Sequence, residues 1–439
     1  MPEDQSVPVL LLAAPASGSG KTTLTLALLR HFRDRGLAIS SFKVGPDYID
    51  PAFHAAASGR PCHNLDAWSM RPETMTSILT EVTADADLVL GEGVMGLFDG
   101  ANDGSGSTAD LAVALGIPVI LVVDVRAQAG SAAAVVHGFT SYRQDLSVAG
   151  VVFNRVGGPG HIKALERACR NLPVPILGYL PSLPELALPD RHLGLVQAAE
   201  HADLEAFLDR AAGEVAKHLD LDRLQTLRGG LARPEATDRR PLPPLGQRIA
   251  VARDAAFAFC YPHLLADWRA AGAEILPFSP LADQPPDAAA DAVYLPGGYP
   301  ELQAGRLAGN RHFIDGLRAA AARQAAIHGE CGGYMVLGEG LIDGAGERHA
   351  MAALLPLETS FAERRLHLGY RHMKLLADGP LGPAGREFRG HEFHYAKVLR
   401  EAPGNELFEV GDALGERLGR VGLRQGRIAG SFQHLIDLV

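Results

Sequence analysis

Two α/β domains in tandem are what this 439-residue chain predicts. Three observations carry that reading. The length exceeds what a single hydrophobic core ordinarily fills. Short runs nearly continuous in Val, Ile and Leu alternate with helix-like stretches, the pattern of parallel strands covered on both faces. That rhythm breaks in a stretch dominated by Pro, Gly and charge, RPEATDRRPLPPLGQ, and then restarts. The domains are therefore 1–230 and 247–439, with 231–246 as an exposed linker.

In the first domain the strand candidates are VPVLLLAAP, GLAISSFKV, DLVLGEG, IPVILVVDV, VAGVVFN and VPILGYL. Between them lie helical segments such as TTLTLALLRHFRDRG and GSAAAVVHGFTSYRQ. Regular strand-helix alternation predicts a doubly wound, mostly parallel sheet. After the linker RIAVARD, GAEILPFSP, DAVYLPGG and AAIHGE repeat the pattern, so the second domain is also α/β.

Composition narrows the function classes. Hydrophobic residues make up 47%, as in a globular chain. The formal charge is −10, from 41 Lys+Arg against 51 Asp+Glu, which argues against nucleic-acid and anionic-membrane partners. No apolar run approaches the ~20 residues of a membrane span. The first apolar run lacks a basic stretch before it and reads as a strand, not a signal peptide. Four scattered cysteines, Cys62, Cys169, Cys260 and Cys331, form no CxxC pair and fit a reducing cytoplasm.

Ala14–Thr23, APASGSGKTT, follows the first strand and opens the first helix, the setting a P-loop requires. Gly18 and Gly20 let the backbone wrap around phosphate, with Ser19 between them and the helix-start N–H groups aimed inward. Lys21 supplies charge to the outer phosphates of ATP, Thr22 a hydroxyl for Mg²⁺, and Thr23 completes the motif. Pro15 stands where the strict motif has its leading glycine, and Ala16 where partition ATPases carry a second lysine. KVGPDYIDP ends the second strand and GEGVMGLFDG the third, at the carboxyl edge where such sheets receive ligands. Oxygen ligands suit Mg²⁺, so Asp47 and Glu92 join Thr22 as candidate metal ligands; helix capping is the competing role. Tyr48, Asp50 and Asp99 are candidates for substrate contact, with capping again an alternative for the acids. Asn154, after a later strand, fits the adenine edge or a turn.

The second domain carries HGECGGY, a cysteine on a glycine turn between strand and helix. GxCxG in that setting is a nucleophile elbow. At the helix start the dipole favours thiolate. The N–H of Gly332 and that of Gly298, in the upstream turn YLPGGYPE, would form an oxyanion hole. A nucleophilic Cys331 needs a base, and His434 in GSFQHLIDLV is the candidate. RGHEFHY is not HExxH; its second histidine comes one place early for the i, i+4 pair of that motif, so it reads as a polar strand.

APASGSGKTT, FKVGPDYIDPAFH, GEGVMGLFDG, LPDRHLGL, YLPGGYPE, GECGGY and RGHEFHY together, in this order over nearly the whole chain, resemble the cobyrinic acid a,c-diamide synthase family of corrinoid biosynthesis. The first domain is similar to dethiobiotin synthetase, the second to class I glutamine amidotransferases. The resemblance implies ATP-, Mg²⁺- and glutamine-dependent amidation of the a and c acetates of hydrogenobyrinic or cobyrinic acid through acyl phosphates. Domain contact would shield the ammonia, and LPDRHLGL would lie near the corrinoid. Class I enzymes usually carry His-x-Glu, whereas Leu435 and Ile436 follow His434, so what orients His434 is left open. Competing readings are a cobyric-acid-synthase-type amidase, a P-loop partition ATPase, and a synthetase fused to an inactive amidotransferase domain. The partners are small molecules, and a homodimer is compatible with the sequence.

Overall fold

The computed structural model describes residues 6–186, 190–191, 194–227, 229–231 and 240–439. The chain divides into two compact units between Asp238 and Arg239, with the short segment Ser69–Arg71 grouped with the second. No described helix is long and apolar enough to cross a membrane.

The first unit runs β1 (Val7–Ala13), α1 (Lys21–Asp34), β2 (Ile39–Val44), α2 (Asp50–Ser58), β3 (Cys62–Leu65), α3 (Pro72–Thr83), β4 (Leu88–Glu92), α4 (Thr108–Leu115), β5 (Val119–Asp124), α5 (Ser131–Ser141), β6 (Val148–Val156), α6 (Pro159–Cys169) and β7 (Ile176–Pro181). A small ladder of β8 (Asp190–Arg191) and β9 (Gly194–Leu195) follows, then α7 (Leu204–His218), α8 (Leu221–Thr226) and β10 (Gly229–Leu231). The sheet order is β3-β2-β4-β1-β5-β6-β7, with β10 alongside β1. All neighbours pair in parallel except β10. Strands β2 and β3 are buried at every residue, which is why the apolar runs show no alternation. The chain winds one way from β1 to β3 and β4 and the other way from β5 to β7. The loop after β1 therefore sits at the switch point, where an open parallel sheet holds its ligand. Leu24, Leu28 and Phe32 on α1 join the core beneath it. Half of LPDRHLGL, residues 188, 189, 192 and 193, lies outside the described residues.

The second unit opens as read: β11 (Arg248–Ala252), α9 (Pro262–Ala270), β12 (Glu274–Phe278), β13 (Ala292–Leu295), α10 (Ala304–Gly309), α11 (Arg311–Ala322), β14 (Ala326–Glu330) and α12 (Gly332–Leu337). Phe313, Ile314, Leu317 and Ala320 form the buried stripe of α11. The remainder is strands: β15 (Gly340–Ile342), β16 (Arg348–Ala350), β17 (Leu357–Ser360), β18 (His367–Leu375), β19 (Glu387–His394), β20 (Lys397–Glu401), β21 (Glu406–Gly411), β22 (Arg417–Gln425), β23 (Ile428–Ser431) and β24 (Gln433–Leu438). Ten strands make one sheet, β12-β11-β13-β14-β23-β22-β21-β18-β19-β24. It is parallel from β12 through β23 and antiparallel beyond. The sheet turns back on itself, because Leu435 on its last strand donates its N–H to Glu330 on β14 at 3.3 Å.

Candidate active sites

In the first unit the P-loop adopts the conformation its glycines permit. Gly18 and Gly20 lie at φ +74° and +92°. A Cβ at Gly20 would come within 2.2 Å of Asn154 Nδ2. Asn154, at the end of β6, donates from that nitrogen to Ser19 O at 2.9 Å, and Ser19 Oγ donates to Ala16 O at 2.8 Å. Thr23 Oγ1 lies 3.4 Å from Leu186 O. Arg155, missed by the sequence reading, bridges Gly18 O at 2.7 Å and Asp124 Oδ2 at 2.6 Å. It holds the back of the loop.

Behind the loop is a buried charge network. Thr22 Oγ1 donates to Glu92 Oε1 at 2.6 Å and lies 3.3 Å from Asp50 Oδ2. Lys43 Nζ donates to the same two oxygens, at 2.9 and 2.6 Å. His54 Nε2 lies 2.7 Å from Glu92 Oε2. Burial disfavours the Lys43 ammonium, but Asp50 and Glu92 outweigh it and hold its pKa above the ordinary value. Burial likewise opposes charge on His54, yet Cys62 and Glu92 raise it to about 10. Burial and Asp47 push the Asp50 carboxyl up against the pull of Lys43. Lys43 and His54 are the residues the sequence reading passed over; the one available signal was a lysine inside a strand buried at every residue.

Of the three predicted metal ligands, Thr22 and Glu92 come together directly. Asp47 Oδ1 instead accepts the N–H groups of Ile49 and Asp50, at 2.7 and 3.1 Å, and starts α2. Asp50 is the second carboxylate that reaches Thr22, and its Oδ1 is buried with no hydrogen-bond partner among the described residues. Tyr48 is half-buried beside it. Asp99 Oδ2 accepts the Gly96 N–H at 2.8 Å, and its charge supports Lys21. Lys21 itself donates to Met95 O at 2.6 Å. Burial, then the Lys43 charge, lowers its pKa.

In the second unit Cys331 stands between β14 and α12 at φ +47°, a strained conformation for a side-chain-bearing residue. Its flanking glycines have no room for a Cβ: one at Gly333 would sit 2.0 Å from Leu295 O. A Cβ at Gly298 would meet Ala256 O at 2.1 Å, and one at Gly332 would meet Gly298 N at 3.0 Å. The N–H groups of Gly332 and Gly298 both face the cysteine sulfur. The thiol donates towards Phe393 O at 3.6 Å.

One expectation is corrected here. The helix dipole does not make a resting thiolate: α12 has six residues. Burial pushes the Cys331 thiol well up, the nearby Glu301 and Glu330 carboxylates add to this, and the two amides pull back only in part. The cysteine therefore needs a base to take its proton.

His434 on β24 is fully buried and pairs with His391 across β19. Its ring edge rests on the YLPGG turn, where a Cβ at Gly297 would lie 2.4 Å from His434 Cε1. Its Nδ1 lies 3.7 Å from Glu330 Oε2. Glu301, in the same turn as Gly298, has a buried Oε2 without a hydrogen-bond partner among the described residues, and burial raises its pKa to about 7. Beyond Phe432 opens a cavity of about 600 Å³ lined by Arg364, Glu392, His394 and Gln433 among others. RGHEFHY is the polar strand expected, β19. His367, Glu392 and His394 cluster there with ligand atoms within 4.8 Å of one another. His394 Nε2 lies 2.9 Å from Glu392 Oε1, and Arg371 donates to Glu392 Oε2 at 2.8 Å.

Comparison with known proteins matches this division. Residues 10–196 match the CobQ/CobB/MinD/ParA nucleotide binding domain, and residues 248–438 the CobB/CobQ-like glutamine amidotransferase domain. Over 434 residues the chain is 55% identical to a hydrogenobyrinate a,c-diamide synthase of Brucella abortus, covering 97% of this chain and 98% of that protein. The chain belongs to the hydrogenobyrinate a,c-diamide synthase family. Further relatives of that name are 53% identical: in Rhizobium meliloti over 98% of this chain and 99% of theirs, and in Rhodobacter capsulatus over 97% and 98%. Membership of the diamide synthase family bears out the resemblance read from the motifs, and with it a ligase joining a nucleotide-binding domain to an amidotransferase domain. The partition-ATPase reading falls, since the diamide synthases match through both domains.

Proposed function

We propose that this chain amidates the a and c acetate carboxylates of hydrogenobyrinic acid, using ATP and glutamine. The observation that carries this is the near full-length identity to hydrogenobyrinate a,c-diamide synthases, which runs through both domains. It favours the cobalt-free acceptor over cobyrinic acid.

The first unit activates the carboxylate. The P-loop amides of Gly18 to Lys21 and the Lys21 ammonium hold the ATP phosphates, with Asn154 and Arg155 bracing the loop from behind. A substrate carboxylate oxygen attacks the γ-phosphorus and ADP leaves, in a step that is mostly positioning and charge neutralisation. Thr22, Glu92 and Asp50 offer only oxygen donors, Asp50 with one buried oxygen unpartnered, and so fit Mg²⁺; Asp47 stands one position out. When bound, the ion would neutralise phosphate charge. Tyr48 and Asp99 are our candidates for contact with the acceptor. Ammonia then attacks the acyl carbon and phosphate leaves, giving the amide.

The second unit makes the ammonia. Cys331 Sγ attacks the glutamine side-chain carbonyl as His434 takes the thiol proton. The oxyanion forms against Gly298 and Gly332, and His434 returns the proton to the departing ammonia. Water then cleaves the thioester to glutamate. Glu301 and Glu392 suit the glutamine ammonium, and Arg364 its carboxylate. The four cysteines are unbridged, in keeping with a reducing cytoplasm.

The test is to trap the activated carboxylate. With ATP, hydrogenobyrinic acid and hydroxylamine but no glutamine, the enzyme should release a corrinoid hydroxamate. ATP turnover without any hydroxamate would contradict the acyl phosphate.

A further inference from the structure

Glu330 immediately precedes the cysteine, yet its side chain serves a different partner. It is 2% exposed. Its Oε2 accepts the Tyr294 hydroxyl at 2.9 Å and faces His434 Nδ1 at 3.7 Å. Its Oε1 accepts the Leu435 N–H at 3.3 Å and faces His328 Nε2 at 3.5 Å. A carboxylate gripped from four sides has one orientation. Burial works against its charge, but His328 and His434 outweigh this and hold the pKa down to about 2. The position two residues past His434 is Ile436, buried and apolar, so no carboxylate comes from β24 at that place.

We propose that Glu330 is the positioning residue of the glutaminase site, holding His434 by Nδ1 so that Nε2 serves Cys331. The proposal rests on the assignment of Cys331 and His434 as the reacting pair. The Nδ1 side of the His434 ring meets Glu330, and its Cε1–Nε2 edge lies against Gly297, next to the Gly298 amide that faces the cysteine sulfur. A carboxylate on Nδ1 selects the Nδ1–H tautomer, leaving Nε2 as acceptor, and stabilises the imidazolium formed when the thiol gives up its proton. The 3.7 Å separation exceeds a hydrogen bond, and such contacts tighten once substrate is bound. Burial, then His434, 4.9 Å away ring to ring, lowers the His391 pKa and disfavours a second cation beside His434. One chain position thus supplies the orienting acid and the next the nucleophile, although β14 and β24 stand far apart in the sheet order.

The test uses the full chain. Glu330→Gln should lower glutaminase kcat by roughly 10²- to 10⁴-fold, as when a triad carboxylate becomes an amide. Its glutamine KM and its ammonia-supported synthesis should be unchanged. Wild-type kcat in folded Glu330→Gln would overturn the proposal. Should that variant not fold, ¹⁵N-histidine spectra of the wild-type protein decide the matter, with the His434 signals assigned by their loss in His434→Ala. The Nδ1–H tautomer is expected; the Nε2–H tautomer would overturn the proposal. Cys331→Ala and His434→Ala separate the two levels. If they lose glutaminase while Glu330→Gln keeps it, only the role of Glu330 falls. If they keep it, the site itself is misassigned.

Discussion

Cys331→Ala will abolish glutamine-supported amidation, by at least ~10⁴-fold, as loss of a covalent nucleophile does. It will leave amidation supported by a high concentration of ammonium salt at the wild-type rate. The reason is that the sulfur is needed only to release ammonia. In the proposed mechanism the acyl phosphate is formed on a different unit, around Lys21 and Thr22, and reacts with ammonia from any source. The substitution is mild. Cys331 is buried, donates only a weak contact to Phe393 O, and its φ of +47° is already accommodated by the backbone. Steady-state rates with the two nitrogen donors, with a melting curve to show folding, check this. Loss of both activities in a folded variant would mean that the units do not divide the chemistry.

Lys21→Ala gives the opposite pattern. Synthesis should fall by about 10³-fold with either nitrogen source, the scale on which removing a preorganised charge from a reacting centre acts. Glutaminase should remain measurable, since Lys21 belongs to the first unit. Lys21 is a cleaner probe than Glu92. Glu92 is wholly buried and pairs with Lys43 and His54, so removing its charge leaves His54 without its carboxylate and Lys43 with Asp50 alone, at a cost of ~3–5 kcal/mol. A stability loss would then mask any effect on the metal. Among the described residues Lys21 donates to two backbone carbonyls, Met95 O and Ala16 O. Synthesis persisting at the wild-type rate in Lys21→Ala would remove the P-loop from the reaction.

What the sequence makes legible follows from locality. The P-loop and the cysteine elbow are each confined to about ten residues, and their glycines are required by short-range geometry: Gly20 against Asn154, Gly333 against Leu295. Strands buried at all but one residue, such as β1 and β5, announce themselves as apolar runs. Strands β18, β20 and β22 do not. Every residue of β20 is exposed, and so are the first four residues of β22. They are held by antiparallel pairing, β20 to β17, β18 to β19 and β21, and β22 to β21 and β23, and no apolar run records that. The same distinction divides the sites. Thr22 and Glu92 were found because each sits beside a glycine-marked loop. Lys43 and His54 were missed because only the packing of β2, α2 and β4 brings them together. Asp47 was placed on the metal because it heads the loop, yet its oxygen is spent on the start of α2 and Asp50 reaches further in. Glu330 lay inside the quoted motif, but the orienting acid was sought downstream of His434. Only the return of β24 over β14 shows where the carboxylate comes from.

The most direct test offers hydrogenobyrinic and cobyrinic acid separately, with ATP and glutamine, and follows products by chromatography with mass spectrometry. Each amidation exchanges a hydroxyl for an amino group and removes one negative charge, so zero, one and two rounds resolve. Conversion of hydrogenobyrinic acid to its diamide, stopping at two amides, is the predicted result. No amidation of either acid while glutaminase remains active would contradict the account and point to a different acceptor.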